Sequence, residues 1–231
     1  MRTVAIIVAA GEGRRINSVH PKQYILIGEK PVLAHTLDKF EKCDLINEVI
    51  LVVSPMYLDY CRQEVVERFN FDKVRKIVIG GEKRQDSVYE GLKSISPNNT
   101  QIVVIHDGVR PFVSIEKIKQ AVELCKKEKA VILAVPVKET VKRVEDNSVI
   151  TTLDREKLWL VQTPQVFEYS LIMEAYKKAY ADNFYGTDDA RLVERLGEKV
   201  KVVEGEYNNF KITTEEDLVW AQEIIKKDRK C

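Results

Sequence analysis

Five apolar runs, Val4–Ala10, Val49–Val53, Lys76–Ile79, Ile102–Ile105 and Ala130–Val135, constrain the fold of this 231-residue chain more than any other feature. They are rich in Val and Ile and lack polar alternation, the mark of strands covered on both faces in a parallel sheet. Amphipathic segments separate them. Leu58, Cys61, Val65 and Phe69 share one helical face, and Ile115, Ile118, Val122 and Cys125 share another, with Ser114 placed as an N-cap. The alternation predicts an α/β fold, a doubly wound layer around a mostly parallel Rossmann-like sheet. Beyond Val135 the pattern changes. Residues 137–159 read as a polar-faced hairpin with its turn at Asp146-Asn147, too poor in apolar residues to join a core and predicted to protrude as an arm. Helices resume over Tyr169–Ala181 and Asp188–Leu196, followed by a short strand at Val200–Val203. A last helix runs through Leu218, Ala221 and Ile225, with capping-box spacing at both Thr213/Glu216 and Thr214/Asp217. No linker-like stretch divides the chain, so the expectation is one domain over 1–231 with an arm at about 137–159.

Charge narrows the partners. Thirty-seven Lys and Arg against 36 Asp and Glu leave a net charge of +1, which argues against nucleic acid or an anionic membrane as ligand and requires any anion site to be local. Cys43, Cys61, Cys125 and Cys231 show no CxxC spacing, so zinc-ribbon and thioredoxin readings fail; Cys61 and Cys125 read as small hydrophobes on helix faces. No leader or membrane-spanning segment is recognisable, and the cytoplasm is the expected location.

In open α/β sheets ligands bind outside the carboxyl ends of the strands. Gly11 and Gly13 follow the first run, Gly80 and Gly81 the third, and His106-Asp107 with Arg110-Pro111 close the fourth. The first loop is not a P-loop, and Ile16 stands where a dinucleotide fingerprint needs its third glycine. Two glycines let the backbone approach a ligand, and Arg14, Arg15 and Lys22 in the same loop suit a polyanion such as a nucleoside triphosphate. In the second loop, Asp86 or Ser87 either caps the following helix or, in the case of Ser87, hydrogen-bonds a base or ribose. Asp107 is placed to meet a ribose or a metal, and His106 reads as a packed strand-end histidine rather than a base.

The ordered set Ala9-Ala10-Gly11-x-Gly13-Arg14-Arg15, Pro21-Lys22-Gln23-Tyr24, Gly80-Gly81-x-x-Arg84-x-Asp86-Ser87, His106-Asp107-x-x-Arg110-Pro111 and Thr163-Pro164-Gln165 resembles the cytidylyltransferases that act on sugar-alcohol phosphates. Within these the chain is similar to the 2-C-methyl-D-erythritol 4-phosphate cytidylyltransferases of the non-mevalonate isoprenoid pathway. Ribitol-5-phosphate cytidylyltransferases share the first loop and the HDxxRP element. The arm, with Thr140-Val141-Lys142-Arg143 and Thr152-Leu153-Asp154-Arg155-x-x-Leu158-Trp159, favours the methylerythritol group. Two departures are Gly108-Val109, where Ala-Ala is common, and Asn208, where Asp is common.

The resemblance implies attack of an acceptor phosphate on the α-phosphorus of CTP, with release of pyrophosphate. An anionic nucleophile must approach a polyanion, so the catalyst needs positioned cations more than a base; one such cation contributes roughly 3–4 kcal/mol to the transition state. On this reading Arg15 and Lys22 are catalytic. Ala9, Ala10, Gly11, Gly81, Ser87 and Asp107 bind CTP, while Arg110, Thr140, Arg155, Thr163, Thr187 and Lys211 meet the acceptor. Magnesium bridges the triphosphate oxygens. The resemblance also implies a homodimer whose arms cross, so that Thr140 and Arg155 serve the partner's site. Competing readings are an NAD(P)-dependent oxidoreductase, opposed by the missing glycine and the dense cations, and a non-catalytic nucleotide-binding module.

Overall fold

The computed structural model describes residues 2–11 and 20–228. In chain order the elements are β1 (Arg2–Ala9), β2 (Leu26–Ile27), β3 (Lys30–Pro31), α1 (Val32–Lys42), β4 (Glu48–Val53), α2 (Leu58–Tyr60), β5 (Val74–Ile79), α3 (Arg84–Lys93), β6 (Thr100–Asp107), α4 (Ile115–Glu128), β7 (Ala130–Pro136), β8 (Lys142–Glu145), β9 (Ser148–Thr152), β10 (Trp159–Glu168), α5 (Tyr169–Ala181), α6 (Asp189–Glu194), β11 (Lys201–Glu204) and α7 (Glu215–Asp228). Seven strands of the described residues form one sheet in the order β11-β7-β10-β6-β1-β4-β5. β10 runs antiparallel to β6 and β7, and the other neighbouring pairs are parallel.

Alternate side chains of each central strand feed opposite layers, as the period of two requires. Ala5, Ile7 and Ala9 of β1 pack with Leu51 and Val104 against α1, α4 and the helical segment around Cys61 and Val65. Val4 and Ile6 pack with Ile50, Val52 and Val103 against α3, α5 and α6. A third cluster joins Ile27, Val32, Val109 and Phe112 to Ile212 and Ala221, which fastens α7 beside the β2–β3 pair. Ser114 caps α4 by accepting a hydrogen bond from the Lys117 N–H. At α7 the Thr214/Asp217 pair forms the cap: Asp217 accepts from the Thr213 and Thr214 N–H groups, and its own N–H reaches the Thr214 hydroxyl.

Five expectations change. No element was expected over 25–47, yet α1 there buries Leu33, Ala34, Leu37 and Phe40. β10 was also missed, because Pro164 argues against a central strand; the ladder accommodates it by shifting register between Gln162 and Gln165. Trp159, expected to end the arm, therefore begins a sheet strand and pairs with Pro136. β5 is an edge strand and its Ile79 is 48% exposed, so only the inner strands are covered on both faces. The segment expected as a helix from Tyr57 to Phe69 is helical, but its turns over Cys61–Glu67 are π-helical.

The hairpin of β8 and β9 stands as expected. Asp146 and Asn147 have φ of 47° and 59°, the paired positive values that suit a two-residue turn on twisted strands. Every residue of both strands is exposed. No helix among the described residues is long and apolar enough to cross a membrane.

Candidate active site

The chain leaves β1 toward β4 and β5 on one side, then returns to place β6 on the other. The crevice above β1 and β6 is thus the topological switch point, where the carboxyl ends of two neighbouring strands diverge. A hollow of about 260 Å³ opens there. Its walls are the end of β1 and the following loop (Ala9, Ala10, Gly11), Lys22, the turn into α3 (Gly81, Ser87) and Asp107 at the end of β6. All six residues expected to bind the nucleotide and the expected catalytic Lys22 meet in this one place. Arg15, the other expected catalytic residue, lies outside the described residues, as do Gly13 and Arg14.

Local structure explains the shape of the hollow. Gly80 continues the strand ladder by donating to Val53 O at 2.8 Å. A Cβ at Gly81 would collide with the Asp86 side chain, so the turn needs glycine to close. Asp86 accepts from the Lys83 N–H at 3.0 Å and caps α3. Asp86 thus holds the helix end, and Ser87 lines the hollow with its hydroxyl 3.3 Å from Gly81 O. Across the hollow, buried Gln23 donates from one amide nitrogen to Ala9 O and Gly11 O, both at 2.8 Å. This ties the residue after Lys22 to the β1 loop and fixes the lysine at the rim. Gln23 was visible only as part of a motif; nothing in its spacing announces that it satisfies two loop carbonyls.

Asp107 is the electrostatic hub. Its carboxylate, 8% exposed, accepts from Arg84 Nε at 2.9 Å and Lys211 Nζ at 2.9 Å, and Arg110 Nε lies 3.7 Å away. Burial alone would raise its pKa, but Arg84, Lys211 and Arg110 outweigh burial and hold it well below the usual carboxylate range. Arg84 also binds Asp189 at 2.9 Å. Burial opposes its charge, and the two carboxylates overcome that and keep the guanidinium firmly protonated. The network continues to Tyr176, whose hydroxyl donates to Asp189 Oδ1 at 2.6 Å. In the sequence Arg84 is a motif residue without an evident role; the convergence of α3, β6 and α6 gives it one.

A second hollow, about 450 Å³, adjoins the first and shares Arg84, Asp107 and Lys211 with it. Arg110, Thr163 and Thr187 line it, so four of the six expected acceptor residues gather here with Lys211. Arg110 donates to Asn209 O at 2.8 Å, while its buried Nε has no hydrogen-bond partner among the described residues. A buried cationic donor without an acceptor, beside an open hollow, suits an arriving anion. Thr140 and Arg155 line neither hollow; they stand on the arm, where Arg155 donates to Lys138 O at 2.8 Å. Asn208 does not line these hollows either and faces a more apolar depression beside Trp220 and Ile224 of α7.

His106 is fully buried at the foot of the site. Its Nε2 lies 3.1 Å from Arg110 O, and its Nδ1 lies 3.0 Å from the Thr163 hydroxyl. A carbonyl can only accept, which assigns the proton to Nε2 and makes Nδ1 the acceptor. Burial, the largest cause, pushes its pKa down to about 3. With both nitrogens engaged and the ring neutral, His106 is a packing and positioning group, as the sequence suggests. Among the described residues no group of three or more His, Cys, Asp or Glu side chains is arranged to hold a metal.

The model of the 2-C-methyl-D-erythritol 4-phosphate cytidylyltransferase family matches residues 3–227. A protein of that name from Geotalea uraniireducens is 46% identical over 227 residues, covering 98% of this chain and 97% of its own. One from Caldanaerobacter subterraneus is 48% identical over 228 residues, covering 98% of this chain and all of its own. The crystal structure of a 4-diphosphocytidyl-2C-methyl-D-erythritol synthase from Anaerococcus prevotii superposes with a TM-score of 0.86 at 39% identity, covering 97% of this chain and 96% of that one. With a switch-point crevice rimmed by cations and a match along nearly its whole length, the chain belongs to the 2-C-methyl-D-erythritol 4-phosphate cytidylyltransferase family.

Proposed function

We propose that this protein transfers CMP from CTP to 2-C-methyl-D-erythritol 4-phosphate, giving 4-CDP-2-C-methyl-D-erythritol and pyrophosphate for isoprenoid precursor synthesis. The observation that carries this reading is the pair of adjoining hollows joined through Arg84, Asp107 and Lys211. Two polyanions can lie side by side there with cations at their junction.

In this reading the nucleotide occupies the hollow under Gly11 and Gly81. Ala9, Ala10 and Ser87 recognise its base, and Asp107 faces its ribose. A Cβ at Gly11 would meet nothing within 4 Å among the described residues, which supports an approach of the ligand to this backbone. Lys22 and Arg15 stabilise charge as it shifts from the α-phosphate toward the leaving pyrophosphate. The acceptor phosphate lies against Arg110, Thr163, Thr187 and Lys211. It is already anionic near neutral pH, so the reaction proceeds without a general base, consistent with the neutral, fully engaged His106. Of the carboxylates lining the nucleotide hollow, Asp107 and Glu82 would be the ones to hold magnesium, with the triphosphate oxygens supplying its other ligands. Bound there, the ion would neutralise phosphate charge and hold the leaving group.

The whole chain acts as one nucleotidyltransferase domain, working in the cytoplasm, with residues of about 137–159 as the arm. Thr140 and Arg155 lie outside both hollows of their own chain, which supports arm exchange in a homodimer, each arm completing the partner's acceptor site. Replacing Lys22 with Ala tests the assignment. The expected result is a fall in turnover of about 10²–10³, with the unfolding temperature unchanged. Near-normal turnover in the folded variant would exclude the assigned role.

A further inference from the structure

Thr187, expected to meet the acceptor phosphate, sits in the loop of residues 182–188 between α5 and α6, exposed and lining the second hollow. An exposed loop residue is a poor anchor for a phosphate unless its neighbours are held. Here they are held on both sides. Gln85, buried in the first turn of α3, donates from Nε2 to Phe184 O at 3.1 Å and accepts at Oε1 from the Gly186 N–H at 2.9 Å. The two bonds fix the amide's orientation and reproduce one rung of a β-ladder with a side chain. On the other side, Gln165 of β10 donates to Asp188 Oδ2 at 2.7 Å and accepts from the Ala190 N–H at 2.9 Å. Gly186 packs closely into the loop, since a Cβ there would meet Leu192 at 2.9 Å and Asp188 O at 3.0 Å.

We infer that Gln85 is a positioning residue for acceptor binding: its amide clamp on Phe184 and Gly186 presents Thr187 to the acceptor phosphate. Gln85 lines neither hollow and touches no substrate site directly. It stands one residue from Arg84, whose Asp189 contact holds the far end of the same loop. The first turn of α3 thereby shapes the nucleotide hollow with Ser87 and braces the acceptor loop with Gln85. Placement of the binding hydroxyl, rather than its presence, is what the clamp supplies. This inference rests on the acceptor reading of the second hollow.

The test uses Gln85→Met, which keeps the volume and removes both hydrogen bonds. Amide hydrogen exchange over residues 184–188 reads the clamp itself and needs no turnover. Exchange there should accelerate about tenfold or more while the unfolding temperature changes little. In the pyrophosphate-release assay, the KM for the acceptor phosphate should rise about tenfold, with the KM for CTP unchanged. In a Thr187→Ala background, Gln85→Met should add no further loss, because the clamp acts through Thr187. Unchanged exchange over 184–188 overturns the inference. So does a loss confined to kcat, or an equal loss with and without Thr187. A wild-type protein that releases no pyrophosphate would sink the functional reading instead, and the exchange measurement would still judge the clamp.

Discussion

Acid should destabilise this protein through His106 in a way that can be worked out in advance. The imidazole is fully buried and its pKa is pushed down to about 3 from an ordinary 6.5. In the unfolded chain it takes a proton as pH falls through 6.5, while in the folded chain it stays neutral. The unfolded state therefore binds more protons across this window, and stability falls as pH falls from 6.5 toward 3. Because the unfolded imidazole is already half protonated at pH 6.5, the loss between pH 6.5 and pH 4.5 from this residue alone is about 2.3 kcal/mol rather than the full ~1.36 kcal/mol per unit. Asp107 adds nothing until the solution approaches the ordinary carboxylate range, because its folded pKa is held well below it. Urea unfolding at the two pH values reads the loss. His106→Asn keeps an acceptor for the Thr163 hydroxyl and has no ionisable ring, so its stability should change less by about that amount. An imidazole that titrates near 6.5 in the folded protein by NMR, or an equal acid loss in wild type and variant, would refute the reasoning.

Two further outcomes follow from the charge hub and the arm. Asp107→Asn leaves Arg84, Arg110 and Lys211 facing each other with only Asp189 to offset them; since the aspartate is buried and two of its partners are partly solvated, the expected cost is about 3 kcal/mol in urea, and a loss below about 0.5 kcal/mol would show that solvent already screens the hub. Mixing Lys22→Ala with Arg155→Ala protomers should restore up to about a quarter of wild-type turnover if arms cross, because half the dimers are mixed and each mixed dimer carries one intact site; shown heterodimers without recovery would exclude shared sites.

What was legible in the sequence depended on whether a residue acts locally. The Val- and Ile-rich runs of β1, β4, β6 and β7 announce a buried sheet because side chains on both faces must be apolar. The Asp146-Asn147 turn announces the hairpin because few residues tolerate two successive positive φ values. β10 stayed hidden because Pro164 sits in its middle, and α1 because its short apolar face follows Pro31 without a capping side chain. The nucleotide residues were readable as glycines and cations at strand ends. Gln23, Gln85 and Arg84 were not readable as actors, because their partners lie 12 to 105 positions away in the chain. A glutamine that satisfies two distant backbone groups looks, in sequence, like any surface glutamine.

In the proposed reaction, cations at a shared junction bring CTP and a sugar-alcohol phosphate together for attack at the α-phosphorus. Pyrophosphate release measures it most directly, with CTP, UTP and ATP each crossed against 2-C-methyl-D-erythritol 4-phosphate and ribitol 5-phosphate in the presence of magnesium. Release should require both substrates and be fastest for CTP with the methylerythritol phosphate. Release from CTP without any acceptor, or equal rates with ribitol phosphate, would contradict it.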